Sequence, residues 1–439
     1  MRKLILFLLL SLLSNESYSQ NGWVRQFAQN SFIRDVVFLT GDTGFLAGSN
    51  CILKTVNGGV TWVNTAPDTT ISYNFISFLN QNTGYVSERQ SSDLYSPIRI
   101  YKTTNAGAQW SLISTSQTSF GITGIQPINE NVFYLSTGYT IYGPIGPPTH
   151  LGSLLKTTNG GESYSTSFYI NEYHNFYSTQ FINENTGWGI VMYDTSTTKM
   201  IKTTNGGQNW FLSDPGLRSI SKYQFVNEST GYIIGFPASG GGVFIKTIDG
   251  GTKWQEYRTH DSINDGPRAL YFIDANTGWL CGRNFSISKT TDGGNSWAYN
   301  RIYPPSYGNI NFVKFNNDVT GWIKGDNSSQ TVVYRTTNGG LSFVSQINST
   351  IPENFSLYQN FPNPFNPSTI ISYQLAINSD VQLKIYDALG NELQTLVNQK
   401  QNAGTYSVDF NAASLPSGIY FYKLVTEKFS VTKKMILVK

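Results

Sequence analysis

One nine-residue pattern recurs seven times in this 439-residue chain and constrains its fold more than any other feature. It runs Lys54-Thr-Val-Asn-Gly-Gly-Val-Thr-Trp62, then Lys102 to Trp110, Lys156 to Tyr164, Lys202 to Trp210, Lys246 to Trp254, Lys289 to Trp297 and Arg335 to Phe343. Successive copies start 43 to 54 residues apart, the length of one four-stranded unit in a radial all-β array. A second pattern, Thr-Gly-aromatic, keeps step upstream at Thr43-Gly44-Phe45, Thr83-Gly84-Tyr85, Thr186-Gly187-Trp188, Thr230-Gly231-Tyr232, Thr277-Gly278-Trp279 and Thr320-Gly321-Trp322. The third repeat departs from it, with Asn129-Glu-Asn-Val-Phe133.

Each unit divides into four short strands, A to D. In the sixth these are Ala269–Ile273, Gly278–Gly282, Ser286–Thr290 and Ser296–Asn300. In the seventh, Ile310 and Phe312 alternate with Asn309 and Asn311 as on a half-buried strand. The nine-residue pattern then spans the C–D hairpin. Its Thr and its Asn or Asp can hold turn amides, its second Gly permits positive φ, and its closing aromatic packs between units. The residues assigned this structural role are Thr55, Asn57, Gly59, Trp62, Asn105, Trp110, Asn159, Asn205, Trp210, Asp249, Trp254, Asp292, Gly294, Trp297 and Asn338. Thr-Gly-aromatic marks the A–B hairpin, so both hairpins share one rim. The expected fold is all-β: a seven-bladed propeller over residues 20–348, then a small Ig-like sandwich. Trp23–Gln26 resembles a strand D and can close the ring, although Ser342–Gln346 offers the seventh blade a strand D of its own.

Residues 1–19 read as an export signal: Arg2 and Lys3, the apolar run Leu4 to Leu13, and small residues at Ser17 and Ser19 before Gln20. The run is too short to span a bilayer, which takes about 20 apolar residues. No transmembrane anchor is expected, and no Cys follows the cleavage point to carry a lipid. A net charge of +3 offers nothing to nucleic acid. Cys51 and Cys281 fall in non-adjacent repeats and read as small buried hydrophobes.

After a linker at 349–360, residues 361–439 carry Phe361-Pro-Asn-Pro-Phe-Asn-Pro367, which cannot be helical. Alternating strands follow, with turns at Asp387–Asn391, Asn402–Gly404 and Pro416–Gly418. This segment closely resembles the type A C-terminal sorting domain of type IX secretion. The match rests on Tyr358-Gln-Asn-Phe-Pro-Asn363-Pro364-Phe-Asn-Pro367, Ile385-Tyr-Asp387, Gly390, Ala403-Gly404, Ser417-Gly418-Ile-Tyr420 and Lys433-Lys434-Met435. The resemblance implies Sec export to the periplasm, passage of the outer membrane guided by this domain, and release or attachment at the cell surface. The secretion machinery is then a partner. The Thr-x-Asp-x-Gly-x-Ser-Trp run at 290–297 fits the Asp-box, or bacterial neuraminidase repeat. With Thr-Gly-Trp upstream, residues 30–348 resemble propellers of the photosystem II assembly and stability factor type. That resemblance implies a fold and no particular activity.

No catalytic set stands out. His150, His174 and His260 lack metal-ligand spacing, and no cofactor is expected. The alternative to a binding module is a glycoside hydrolase, sialidase- or xyloglucanase-like, on the face opposite the motif turns. A sialidase would need three arginines, a Tyr–Glu pair and an Asp; Arg34, Arg218, Arg258, Arg268, Arg283 and Arg301 are raw material, but the Arg-Ile-Pro those enzymes carry near the first blade is missing. The better signal is aromatic loops on that face: a long B–C excursion at 137–153 with Tyr139, Tyr142 and His150, and D–A loops with Tyr173, His174, Tyr257, His260, Asp261, Tyr303 and Tyr307. Exposed aromatics on loops suit glycan or protein binding. The expectation is therefore a monomeric, secreted or surface-attached, non-catalytic binding propeller.

Overall fold

The computed structural model describes residues 19–20, 23–29, 32–88, 98–116, 121–141, 149–169, 176–192, 197–257, 266–302, 308–327, 330–337, 339–340, 344–348, 352–412 and 415–439. Residues 1–18 of the expected export signal lie outside them. The described residues form seven antiparallel sheets in chain order, one per repeat, and two further sheets at the C-terminus. Blade one is Ile33–Phe38, Gly44–Gly48, Cys51–Thr55 and Val63–Asn64; blade six is Pro267–Phe272, Gly278–Gly282, Ser286–Thr290 and Ala298–Arg301. In every blade an amide of the C–D turn donates to a carbonyl of the A–B turn, as Gly58 N does to Asp42 O at 2.8 Å and Gly293 N to Asn276 O at 2.8 Å. Both hairpins therefore share one rim. Cys51 and Cys281 are free and buried, in blades one and six.

The ring is closed from the N-terminus. Trp23–Gln29 pairs antiparallel with Thr331–Thr336, strand C of blade seven, and Ser19–Gln20 adds to its outer edge. Trp23 takes the place of the motif aromatic: it is fully buried, donates Nε1–H to Gly340 O at 2.9 Å, and meets Phe315 edge-on. The strand D expected at Ser342–Gln346 is corrected accordingly. With the slot filled by a seven-residue strand, Val344–Asn348 pairs instead with Gly404–Asn411 of the C-terminal domain.

Blades are joined by a repeated aromatic stack. The Phe ending strand A lies flat on the aromatic two residues into strand B of the preceding blade. Phe38 stacks on Trp322, Phe78 on Phe45, Phe181 on Tyr134, Phe225 on Trp188, Phe272 on Tyr232 and Phe315 on Trp279, with centroids 3.5 to 4.6 Å apart. This explains the Gly of Thr-Gly-aromatic. It pairs across from the Phe of its own blade, and a Cβ there would come within 2.3 Å of the Phe38 ring at Gly44. The motif's first residue, Lys or Arg, places its cation 5.1 to 5.8 Å from the same strand B ring in all seven blades. Such a contact contributes on the order of 0.5–2 kcal/mol. Several of these lysines also reach the next blade's turn, Lys202 Nζ donating to Gly250 O at 3.0 Å and Lys246 Nζ to Gly293 O at 3.1 Å. At the junction of the last blade with the first, the strand B ring itself makes this reach, Trp322 Nε1 donating to Gly58 O at 3.2 Å.

The third repeat is a compensated exchange. Where other blades pair Phe with Gly, it pairs Pro127 with Phe133. The Phe133 ring approaches from strand B what the other Phe rings approach from strand A: Tyr85 of the preceding blade at 5.0 Å and the motif aromatic, Tyr164, edge-on at 6.0 Å.

The C-terminal sheets are Val344–Asn348, Gly404–Asn411, Ser368–Leu375 and Ser356–Leu357, and Glu392–Gln401, Ser379–Tyr386, Gly418–Val425 and Ser430–Leu437. They enclose one core, including Ile371, Tyr373, Leu383, Ile385, Tyr422 and Met435, so the domain is a small sandwich. The expected linker at 349–360 is structured at its end. Ser356–Leu357 is an edge strand and Phe355 stacks on Phe429. The Pro-rich run is pinned to the last strand: Asn363 Oδ1 accepts from Ile436 N, and Phe365 N donates to Ile436 O, both at 2.9 Å. Pro364 lies between them. Gly390 turns at φ +87°, Gly404 and Gly418 open strands, and on the last strand Lys434 is exposed and Lys433 half-buried.

Candidate functional site

The motif turns use their polar residues locally. Thr55 Oγ1 accepts from Gly59 N at 2.8 Å and donates to Asn57 Oδ1 at 3.0 Å, and Asn57 Oδ1 accepts from Thr61 N at 2.9 Å. Gly58 and Gly59 sit at φ +71° and +102°. The same bonds recur around Asn105, Asn159, Asn205, Asp249 and Asp292. Asn338 lies outside the described residues. Trp62, Trp110, Trp210, Trp254, Trp297 and Tyr164 stand edge-on to phenylalanines at the blade junctions, Trp297 against Phe244 and Phe272. The Asp292 carboxyl, partly desolvated, accepts from Ser296 and Thr290 and is held down to about 2.

The opposite face holds a different arrangement. Strand A lines the channel, and in every blade it carries a β-bulge after its first turn of pairing, between Ile33 and Asp35, Tyr73 and Ile76, Ile122 and Gly124, Phe176 and Ser178, Ile220 and Lys222, Pro267 and Ala269, and Ile310 and Phe312. A bulge leaves one residue unpaired and re-aims it. The bulged residues Arg34, Phe75, Ser221, Arg268 and Asn311 all line a cavity of about 600 Å³ at the channel mouth. The expected alternation of Ile310 and Phe312 is broken by the bulge: Ile310 is buried between blades and Phe312 lines the cavity.

The lining is basic. Arg34, Lys222, Arg268, Arg283 and Lys324 contribute five cations against one carboxylate, Asp35. Arg34, Lys222, Arg268 and Arg283 are exposed at the mouth. Lys324 is buried and ion-paired with Asp326 at 2.9 Å. Asp35 is committed to the backbone: Oδ1 accepts from Val36 N and Oδ2 from Ile76 N of the next blade, both at 2.9 Å. Burial pushes its carboxyl above the usual range, while those amides, Lys222 and Lys324 pull it back. A second cavity of about 770 Å³, lined by Tyr177, Met192, Thr198 and Tyr223 among others, shares Ser221 and Lys222 with the first. Deeper in the channel, glutamines clamp neighbouring blades: Gln180 Nε2 donates to Phe225 O and Gln180 Oε1 accepts from Phe225 N, both at 2.8 Å. Gln126 and Gln224 do the same at the adjoining junctions.

Of the aromatic loop residues expected to bind ligand, Tyr142, Tyr173, His174, His260, Asp261, Tyr303 and Tyr307 lie outside the described residues. The excursion at 137–153 is largely a regular hairpin extension: Phe133–Ile141 pairs with Thr149–Thr157, placing Tyr139 opposite Leu151 and His150 opposite Thr140. Tyr257 ends strand D of blade five, half-buried and edge-on to Phe244 at 6.3 Å, so its ring packs locally. Of the channel cations, Arg34, Arg268 and Arg283 entered the sequence reading only as raw material for a sialidase, and Lys222 and Lys324 not at all. Their signal was the apolar spacing i, i+3, i+5 along strand A, as in Ile33, Val36, Phe38 and Ile310, Val313, Phe315, which fits a bulge and no regular strand.

Among the described residues no three His, Cys, Asp or Glu side chains gather to hold a metal ion, and no helix is long and apolar enough to cross a membrane. Residues 359–439 match the family of secretion system C-terminal sorting domains. No curated protein sequence matches the chain. Among solved structures it is similar to YCF48 bound to D1 peptide, at 16% identity over 73% of this chain and 99% of that one, TM-score 0.55. It is similar too to YCF48 from Cyanidioschyzon merolae, at 17% identity over 71% of this chain and 98% of that one, TM-score 0.52. A GH74 xyloglucanase from Xanthomonas campestris aligns at 10% identity over 79% of this chain and 62% of that one, TM-score 0.38. The chain is thus a propeller of the YCF48 fold carrying a type IX C-terminal sorting domain, which directs it out of the cell or to its surface.

Proposed function

We propose that the propeller is a non-catalytic binding module for an extracellular glycan or protein, and that the channel mouth opposite the motif turns is its anchor point. The observation that carries this reading is the lining. Four exposed cations surround one carboxylate, and both oxygens of that carboxylate already accept backbone amides. Acid–base hydrolysis of a glycoside takes two carboxylates about 5–10 Å apart across a cleft. Asp35 is the one carboxylate among the described residues of the lining, and its hydrogen bonds serve the junction of blades one and two. Concentrated positive charge in a concave site favours an anionic group on the ligand, with Phe75 and Phe312 offering apolar surface beside it. The peptide bound to YCF48 supports a protein segment as one such ligand. The test is an array of acidic and neutral glycans and peptides against the mature chain, read for binding and for cleavage. The expected result is binding to anionic members, weakened at least tenfold by Lys222→Glu with Arg268→Glu. Turnover of any member would overturn the reading.

A further inference from the structure

Blade seven has one outer slot, and the chain carries two segments patterned for it. In blades one to six the strand that closes the nine-residue motif follows it directly, as Trp62 and Val63–Asn64 follow Gly59. In blade seven the sequence repeats this layout, Gly339-Gly340-Leu-Ser-Phe343-Val344, yet the slot holds Trp23–Gln29. The substitution is in register. Val24 faces Arg335 as Val63 faces Lys54. Trp23 Nε1 donates to Gly340 O as Trp297 Nε1 does to Gly294 O. The displaced segment has a place of its own: Val344–Asn348 lies along Gly404–Asn411, with Val344 opposite Val408 and Ser345 opposite Ser407. It covers an edge of the sorting sandwich that the family unit, residues 359–439, does not itself cover.

We propose that Val344–Asn348 is an exchange strand. It fills the outer slot of blade seven until the N-terminal strand docks there, then passes to the open edge of Gly404–Asn411. The sorting sandwich thereby gains its edge strand only in a chain whose propeller is closed. The lengths favour this direction, because the N-terminal strand pairs through six residues where the strands D of blades one to six pair through two to five. Trp23 adds a fully buried indole that the competing segment, with Phe343, does not carry. An exposed strand edge is a ready acceptor for another chain, and the exchange keeps one such edge covered in each state.

Engineered cysteines report which edge the segment occupies, since both native cysteines are buried. In the full chain, Ser345→Cys with Ser407→Cys should form a disulfide nearly quantitatively, while Val344→Cys with Arg335→Cys should not. In a chain lacking residues 20–29 the pattern should invert, with the first cross-link reduced at least fivefold and the second appearing. Adding a synthetic peptide of residues 20–29 should restore the first pattern in a saturable way. That rescue arm keeps the test valid if the shortened chain is poorly folded alone. A 345–407 cross-link unchanged by loss of residues 20–29 would overturn the proposal. So would a peptide that docks, by its Trp23 fluorescence, without moving the segment.

Discussion

The third blade offers a direct test of how the ring is held together. Phe133 is fully buried, and Pro127 faces it where six other blades have Gly and Phe in the reverse order. Phe133→Gly removes the ring that meets Tyr85 and Tyr164, and should cost about 3–5 kcal/mol by analogy with other buried Phe truncations, plus about 0.5–1 for the glycine itself. Pro127→Phe alone places a second ring against Phe133 and should cost about 1–3 kcal/mol through overpacking. The double variant rebuilds the arrangement seen at Phe78 and Gly84, where a Cβ on the glycine would lie 2.6 Å from the phenyl ring. It should return to within about 1–2 kcal/mol of the parent, a coupling of about 3 kcal/mol or more between the two positions. Urea unfolding of all four chains, followed by tryptophan fluorescence, reads the cycle. A double variant no more stable than Phe133→Gly would show that the two sites are not interchangeable, and the account of the Gly–Phe pairing would be wrong.

Other consequences follow from single hydrogen-bond sets. Asp292→Asn should be nearly neutral at pH 7, because Asn159 already makes the equivalent bonds, Nδ2 donating to Ser163 Oγ at 2.8 Å, whereas Asp292→Ala should cost about 1 kcal/mol. Since the folded pKa of Asp292 is lowered to about 2, its contribution is present above about 4, the unfolded range, and fades as pH falls toward 2; Asp292→Asn, matched to the parent at pH 7, should lose less stability than the parent between about pH 4 and pH 2. Neither change should alter ligand affinity in folded protein, as binding curves at pH 7 would show. Gln180→Ala strips both the donor and the acceptor serving Phe225 and should cost about 2 kcal/mol in thermal or urea unfolding; a loss below about 0.5 kcal/mol would mean water replaces the clamp. Removal of residues 352–439 should leave the protein in the periplasm, checked by cell fractionation, and arrival of the shortened chain at the surface would contradict the sorting role.

The blade count, the two hairpins on one rim and the identity of the sorting domain were legible because each rests on a local, repeated signal: turn residues needing positive φ at Gly58 and Gly59, small residues beneath a ring at Gly44, and a Pro-rich entry at 361–367. The closure was half legible. Trp23 carried the pattern of a motif aromatic, but Phe343 carried it too, and only length and burial decide between them. Reading the third repeat as degenerate missed an exchange between strands, because a pairwise substitution across a ladder is invisible to a pattern read along the chain. The aromatic loops drew attention as binders for their composition, and Tyr257 proves to pack on Phe244. Of the channel cations, Arg34, Arg268 and Arg283 drew notice only as raw material for a sialidase and Lys222 and Lys324 drew none, because they are scattered along the chain over blades one, five, six and seven. Seven-fold closure, not sequence proximity, brings Arg34, Lys222, Arg268 and Arg283 to one mouth.

Whether this mouth binds without hydrolysing is decided by a calorimetric titration of the mature chain with a carboxylate-bearing ligand drawn from the array, at 50 and 300 mM salt, with the mixture then analysed for cleavage products. The expected result is saturable binding that weakens with salt, falls at least tenfold in Lys222→Glu with Arg268→Glu, survives Asp35→Asn in folded protein, and leaves the ligand intact. Product formation that Asp35→Asn abolishes, or binding indifferent to both salt and the two charge reversals, would contradict it.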